Sequence, residues 1–191
     1  MPSAAETAVA AALSGVLCSG VTAAVMRANE PETVAIRGPV QLTVEQRSLV
    51  ELLVDPGQRF QSASVGAPVP ASGNLPSLGY VRGWTRTFTA DRQQLDAFVL
   101  EFSSESGAEA YARGIGGAAR LLADPMPFAV TGVPGASGLA DTRKASDGRY
   151  LNLVSLHRGA RAALLVFRDE TQGAGGDLVA LARRQYDALG A

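Results

Sequence analysis

The hydrophobic pattern is clearest between residues 95 and 122, where an alternating run is followed by a helical one. Residues 95–102 read LDAFVLEF, and their apolar side chains alternate as they do on one face of a strand. From residue 106 to 122 the apolar side chains recur every three or four positions, the spacing of an amphipathic helix. Ser106 and Glu109 have the spacing of a capping box. The pattern predicts a half-buried strand leading into a helix that lies on the sheet.

The rest of the pattern predicts strands joined by short turns, with two further helices. The elements expected, in chain order, are a short helix at 42–54, a long irregular loop at 58–78, a strand at 79–89 paired with 95–102, a short strand from Phe128 into a Gly-rich turn at 132–138, a hairpin of 150–157 and 162–167, and a helix over 178–189. Strands followed by a covering helix occur twice, which suggests two pseudo-repeated strand-strand-helix halves. The predicted class is α+β, an antiparallel sheet with helices packed mainly on one face.

An uncharged apolar run begins at Ala8 and ends at Met26, about the length that a helix needs to cross a bilayer. We interpret residues 1–27 as a signal peptide or membrane anchor, 28–40 as a linker rich in proline and charge, and 41–191 as a single domain. An alanine-rich buried or surface helix is the alternative, because no lysine or arginine precedes the run as in most export signals. The anchor hypothesis places the domain outside the cytoplasm, membrane-anchored or secreted.

Composition narrows the functions that the chain can have. The 17 basic and 18 acidic residues nearly cancel, so there is no extended positive field for nucleic acid. The single cysteine, Cys18, excludes an intramolecular disulfide, and with one histidine it leaves no transition-metal constellation. We therefore expect no nucleic-acid partner, no metal and no cofactor. Lipidation of Cys18 stays open, although a leucine precedes it where lipoprotein signals have a small residue.

Two motifs point to chemistry but lack its usual context. Gly114, Gly116 and Ala119 have the spacing of a dinucleotide fingerprint, yet the pattern puts them within a helix and not at its start, where a pyrophosphate binds. Ser137 lies in a sequence like a nucleophile elbow, in which a leucine replaces the second glycine. Only His157 is available as its base. We predict no catalytic residues and keep a small serine hydrolase as an alternative.

Five residues are candidates for a ligand or partner surface. The aromatic side chains of Tyr80, Trp84 and Tyr150 lie on predicted strands and can line a cleft, although aromatic residues at strand spacing are more often core. Arg158 and Arg161 flank the turn of the predicted hairpin and can form a basic face for acidic partners or lipid headgroups. Solvated arginines balanced by nearby acids are the alternative.

The chain combines an apolar N-terminus with the stretches FVLEFSSESGAEAYA, FAVTGVPGA, RYLNLVSLHRGARAALLVF and DLVALARRQYDAL. In this combination it resembles secreted or membrane-anchored actinobacterial proteins of unknown function. The resemblance spans residues 42–189. Some of these proteins are similar to the extracellular sensor domain of mycobacterial PknH-type kinases, although this chain lacks the cysteines that form the disulfides of that domain. The resemblance implies an extracytoplasmic, non-catalytic α+β domain and carries over no site residues.

Three functions follow from these observations. The leading hypothesis is a membrane-tethered or secreted cell-envelope domain that binds a ligand or partner protein without catalysis. The second is an accessory subunit of a membrane protein complex, in which the small residues of the apolar run pack against other helices. The third is the hydrolase built on Ser137 and His157.

Overall fold

The computed structural model describes residues 49–58, 60–62, 66–71, 73–115, 122, 124–170 and 175–190. Within these ranges the chain forms one eight-stranded sheet in which every paired neighbour is antiparallel. The elements are β1 (Gln61–Ser62), β2 (Ala67–Pro68), β3 (Tyr80–Ala90), β4 (Gln93–Phe102), α1 (Glu105–Arg113), β5 (Pro125–Phe128), β6 (Ser137–Asp141), β7 (Tyr150–Arg158), β8 (Arg161–Asp169) and α2 (Gly175–Leu189). The strand order is β1-β3-β4-β8-β7-β6-β5, with β2 also paired to β3.

Two long hairpins form the middle of the sheet, as the sequence predicts. β3 and β4 pair along their length across a tight turn, where Asp91 has a φ of 44°. β7 and β8 pair from Tyr150 to Arg158 across the turn at Gly159, whose φ of 57° is easily adopted by glycine. Because β4 pairs with β8, the two hairpins join into one continuous surface. Both predicted hairpins are confirmed.

Strand β4 is buried on both faces, which corrects the expectation of a half-buried strand. Leu95, Ala97 and Val99 belong to one core cluster, and Phe98 and Leu100 belong to the other. The alternation therefore assigns the two faces correctly, but neither of them meets solvent. The physical reason is the central position of β4 between β3 and β8, with packed side chains above and below.

The helices are divided between the two faces. Leu178 and Leu181 of α2, with Leu49 and Leu53 from the segment before β1, pack on one face. Ala108 and Tyr111 of α1 are among the α1 residues that pack on the other. The predicted α+β class and the antiparallel sheet are confirmed. Of the described helical segments, residues 49–51 and α2 lie on one face, and α1 and the 3₁₀ turn at Pro76–Leu78 lie on the other. Each of the hairpins β3–β4 and β7–β8 is followed by a helix, in the predicted strand-strand-helix order.

Helix α1 begins earlier than the sequence predicts, and residues 116–121 of the predicted helix lie outside the described residues. Ser104 is its N-cap, and the Ser104 hydroxyl accepts a hydrogen bond from the backbone N–H of Gly107 at 3.2 Å. The predicted cap, Ser106, lies inside the first turn. The α-helix ends at Arg113, and Gly114 is its C-cap, so the glycine of the rejected dinucleotide motif lies at the wrong end of a helix for an anion. Gly116 and Ala119 lie outside the described residues.

Two short strands occupy a stretch where the sequence predicts a chain break and a turn. β5 contains Pro125 and Pro127 and forms an edge of the sheet, the place in a sheet where proline is tolerated. β6 covers Ser137–Asp141 and joins β5 to β7. The predicted irregular loop at 58–78 also contains β1, β2 and a 3₁₀ turn at Pro76–Leu78. It is anchored to the core by Leu75, which is 0% exposed.

The predicted signal peptide or anchor, the linker, Cys18 and most of the predicted first helix lie outside the described residues. Residues 49–51 are helical and belong to the end of that predicted helix. None of the helices in the described ranges is both long and apolar enough to span a bilayer.

Candidate functional site

The three aromatic residues predicted for a ligand surface do not come together. Trp84 is 1% exposed in the core cluster beneath α2. Tyr80 packs edge-on against Phe102 on the α1 side, and its hydroxyl donates a hydrogen bond to the backbone carbonyl of Val69. Tyr150 is half-buried at the start of β7 beneath the ammonium group of Lys144, 5.5 Å from the ring centroid. Trp84 and Tyr80 are occupied by packing contacts within the described structure.

The two arginines of the predicted surface do lie together, at the C-terminal end of α2. Arg158 and Arg161 face each other in the β7–β8 ladder. The Arg158 guanidinium lies 5.0 Å from the Tyr186 ring centroid and donates to the carbonyl of Tyr186 at 3.3 Å. The Arg161 guanidinium donates to the carbonyl of Leu189 at 3.2 Å. Because helix C-termini carry unpaired carbonyls and partial negative charge, both arginines stabilise the end of α2.

Ser137 and His157 lie on neighbouring strands but form no hydrogen bond in the described structure. Ser137 pairs with Ser155, and His157 follows two residues later on the same face. The His157 ring packs against the backbone of Gly135, where an added Cβ would lie 3.0 Å from its Cε1 atom. The buried Nδ1 atom of His157 has no partner. The hydrolase alternative lacks the nucleophile-to-base hydrogen bond that it requires.

A groove of about 820 Å³ lies between the β5–β6 edge and α2. Its floor is a cross-strand row formed by Met126, Ala140 and Asn152, which face one another in the β5–β6–β7 register. Val179 and Ala180 of α2 line the opposite wall. The volume lies in the range of roughly 300–1,000 Å³ that is typical of small-molecule sites.

The aromatic wall of the groove depends on a glycine. Phe128 faces Gly138 in the β5–β6 ladder, and its ring lies directly over that residue. A Cβ at position 138 would lie 2.6 Å from the Cζ atom of Phe128. Only glycine therefore lets the ring lie flat along the floor and close the groove at one end.

Asn152 supplies the polar group on the floor of the groove that is not satisfied by the protein. Its side chain is 2% exposed, and its amide nitrogen has no hydrogen-bond partner. Leaving a buried donor unpaired costs about 1–3 kcal/mol, and each such group in a native structure needs an explanation. The nitrogen is covered by the protein, so this cost belongs to the packing of the floor and not to a contact with a molecule in the groove.

The other polar side chains of the groove have partners within the protein. Asp141 accepts hydrogen bonds from the backbone N–H of Asp124 at 2.8 Å and of Arg143 at 3.4 Å. At the other end, the Arg183 guanidinium donates to the carbonyl and the hydroxyl of Thr131 at 2.7 and 2.8 Å. These bonds hold the rim of the groove in place.

Helix α2 is fixed at its C-terminal end and is flanked by cavities nearer its start. The buried Gln185 donates to the carbonyl of Leu52 at 2.6 Å and accepts from the backbone N–H of Val54 at 3.2 Å. A second cavity, of about 230 Å³, lies beside Phe60 on the other side of the helix, and Ala180 lines both cavities. Leu178 and Leu181, which are 2% and 6% exposed, hold this part of α2 against the core.

The described lining of the groove contains no histidine, cysteine, serine or lysine. Its hydroxyl groups, those of Thr131 and Thr142, bond to Arg183 and Asp124. Within the described ranges no three His, Cys, Asp or Glu side chains cluster to hold a metal. What the described lining offers is a cleft formed by apolar residues and polar residues or glycine in equal number.

The partly buried Tyr80 phenol has a raised pKa. Loss of solvent raises the pKa of the Tyr80 phenol from 10.0 to about 12. The folded state therefore favours the neutral phenol, and stability falls as pH rises from about 10 towards 12, where only the unfolded chain is ionised. We expect the tyrosinate absorbance difference between the wild type and Tyr80→Phe to have a midpoint near 12. A midpoint near 10 would contradict the burial of the phenol.

The chain folds as an antiparallel α+β domain with helices on both faces of the sheet, and a solved structure has a similar fold. No protein-family model and no curated protein matches the chain. The extracellular domain of PknH from Mycobacterium tuberculosis matches with a TM-score of 0.56 at 10% sequence identity, over 75% of this chain and 95% of that domain. The predicted resemblance to that domain is confirmed at the level of the fold.

Sequence analysis did not single out Asn152, although a signal for it was present. Asn152, Val154 and Leu156 lie two residues apart and therefore share one face of the strand, so the polar Asn152 occupies an inward-facing position. Such a residue is either satisfied in the core or directed into a cavity. Deciding between the two requires β5 and β6, which the sequence pattern did not predict at their observed positions.

Proposed function

We propose that this chain is a membrane-tethered or secreted cell-envelope domain that binds a small ligand, without catalysis, in the groove between β5–β6 and α2. The observation that carries the proposal is a cleft of about 820 Å³ whose floor is set by the register of three neighbouring strands. The extracellular origin of the domain that shares its fold supports the location.

The construction of the groove supports recognition. Its floor belongs to consecutive strands of one sheet, so the positions of Met126, Ala140 and Asn152 are set by backbone hydrogen bonding. Rigid floors lower the entropy that is lost on binding. The wall formed by α2 is held at its far end by Gln185 and the two arginines of the β7–β8 turn, and nearer its start by the buried side chain of Leu178. A ligand therefore meets a floor and a wall that are both preformed.

Filling the groove should abolish binding. In Ala140→Trp a large ring would occupy the middle of the floor, between Met126 and Asn152. With Nile red, a neutral apolar dye, as the probe, we expect saturable one-to-one binding to the wild type and at least tenfold weaker binding to the variant. Dye emission under native conditions measures both.

A matched control places the same ring elsewhere on the sheet. Ala90 is also a half-buried strand residue, but it lies at the end of β3 and does not line the groove. Ala90→Trp should bind the dye as the wild type does. The proposal fails if the wild type does not bind the dye, or if Ala140→Trp binds it as tightly as Ala90→Trp does.

We also propose that the apolar run from Ala8 to Met26 takes the domain to the membrane. Its length and lack of charge support a membrane-directed segment. In an actinobacterial host, the full chain should appear in the membrane or culture fraction, and a chain lacking residues 1–27 should stay in the cytosol. Finding the full chain wholly in the cytosol would overturn this part of the proposal.

A further inference from the structure

We infer that two Pro-x-Pro segments, residues 68–70 and 125–127, close both edges of the sheet to strand addition by a partner or a second copy of the chain. In the described part of the chain, β5 ends the strand order on one side, and β2 lies on the outer side of β3 on the other. One segment lies within β5, and the other begins in β2 and continues past its end. The inference is independent of the proposed function, because it concerns pairing with the sheet and not a molecule in the groove.

The register of β5 turns its proline nitrogens outwards. The backbone N–H of Thr142 donates to the carbonyl of Asp124 at 3.0 Å, so the hydrogen-bonded pairs of the β5–β6 ladder include these two residues. Because bonded and non-bonded pairs alternate along an antiparallel ladder, the backbone groups of Met126 also face β6. Those of Pro125 and Pro127 face away from the sheet, and neither proline has an N–H to donate there.

The same arrangement occurs at the opposite edge. The backbone N–H of Val69 donates to the carbonyl of Gly83 at 3.0 Å, which directs the backbone of Val69 inwards to β3. Alternation therefore directs the nitrogen of Pro68 outwards. Pro70 directly follows Val69 and likewise has no N–H to donate. Both prolines are exposed, whereas the side chain of Val69 between them is 5% exposed in the core.

A strand that joined either edge would lose much of its hydrogen-bond ladder. An added strand bonds to the outward-facing N–H and C=O groups of the edge strand, and a proline offers only its carbonyl. In a symmetric antiparallel pairing of two β5 strands about Met126, the bonded pairs would join Pro125 of one chain to Pro127 of the other. The prolines remove every N–H group of those pairs.

The β5 edge would otherwise favour association. Met126 is 54% exposed on this strand, and exposed apolar edge strands are sites of aggregation and of strand exchange. A protein partner of this domain therefore binds its loops, its helices or its groove, and does not extend its sheet.

The test restores the N–H groups at the β5 edge and traps the pairing that they allow. In the full chain carrying Cys18→Ser and Met126→Cys, the pairing would place the two cysteines in a non-bonded pair with Cα atoms about 4.5 Å apart, which suits a disulfide. Adding Pro125→Thr and Pro127→Thr should raise the initial rate of disulfide-linked dimer formation at least about tenfold, as recovered hydrogen bonds allow. The chains are oxidised with copper phenanthroline in neutral detergent, and non-reducing electrophoresis measures the dimer.

The matched control is Pro134→Thr in the same cysteine background. Pro134 is exposed, as Pro125 and Pro127 are, but it lies in the turn before β6 and not on an edge strand. Its replacement should leave the rate of dimer formation unchanged. A rise as large as that of the β5 variant would show that loss of any exposed proline suffices, and would overturn the inference.

The opposite edge gives an independent measurement without cysteine chemistry. Pro68→Thr with Pro70→Thr should self-associate at least about tenfold more tightly than the wild type in sedimentation equilibrium. This variant decides the matter if the β5 variant does not fold. The inference is wrong if a folded variant at either edge associates no more than its proline-containing parent, or if the wild type itself forms dimers paired through β5 or β2.

Discussion

Replacing Asp96 with alanine should destabilise the protein by about 3–5 kcal/mol, the largest effect that we expect from one polar side chain. Asp96 is 2% exposed, and its carboxylate lies 2.5 Å from the guanidinium of Arg168, which is itself buried. The hydroxyl of Thr87 donates to the same carboxylate at 2.7 Å, and the amide of Gln94 donates at 3.0 Å. Removing the acid leaves a buried arginine without its counter-charge. Urea unfolding, followed by the fluorescence of the single tryptophan, Trp84, measures the loss.

Two further variants show whether burial causes this effect. Glu101 and Arg82 form a similar pair between neighbouring strands, with 24% and 33% of their side chains exposed. Because solvent screens that pair, Glu101→Ala should cost at most about 1 kcal/mol. The double variant Asp96→Leu with Arg168→Met removes both charges and should recover most of the stability lost in Asp96→Ala. Equal losses in the Asp96 and Glu101 variants would contradict the assignment of the buried pair.

Leu75→Ala should cost about 2–5 kcal/mol, although the residue lies in a stretch without regular sequence pattern. Its side chain is 0% exposed in the cluster beneath α1, where Phe98 and Phe102 also lie. The Leu75 carbonyl also accepts hydrogen bonds from the backbone N–H groups of Leu78 and Tyr80, which order the entry into β3. Truncation would leave a cavity in the core. The same urea titration measures the change.

The control for this variant is an exposed neighbour. Val81 follows the same turn but is 56% exposed, so Val81→Ala should change stability by no more than about 0.5 kcal/mol. If Leu75→Ala were as mild as Val81→Ala, the segment before β3 would not be part of the core. The buried position of Leu75 would then be wrong.

The elements that the sequence predicts well are those whose pattern follows one packing surface. The hairpins β3–β4 and β7–β8 consist of long runs rich in β-branched, aromatic and aliphatic residues separated by short turns, which is a strong local signal. Helix α2 follows the same rule, with its apolar side chains at helical spacing after two glycines. The sheet class follows from these elements alone.

The elements that the sequence predicts poorly depend on long-range pairing. β6 reads SGLAD, and its strand conformation comes from pairing with β5 and β7 on either side. β5 contains two prolines, which act locally as chain breaks but are tolerated at the edge of a sheet. Likewise, two-sided burial of β4 cannot be read from alternation, because both faces carry apolar side chains.

The sequence does not predict the candidate site, also because the site depends on long-range pairing. Its floor and its helical wall come from segments that lie far apart in the chain, and no motif joins them. The aromatic and arginine residues predicted for a ligand surface pack mainly in the core or against the C-terminal end of α2. The polar residue Asn152 at an inward-facing position of β7 is a signal in the sequence, but the cavity beside it is seen only in the structure.

The most direct test of the groove as a ligand site is a titration of the nitrogen-15-labelled protein with Nile red, followed by amide chemical-shift changes. The account predicts that the largest changes map to residues that line the groove, Ala140, Asn152 and Val179. Changes confined to the cavity beside Phe60, or no saturable change at any residue, would contradict it.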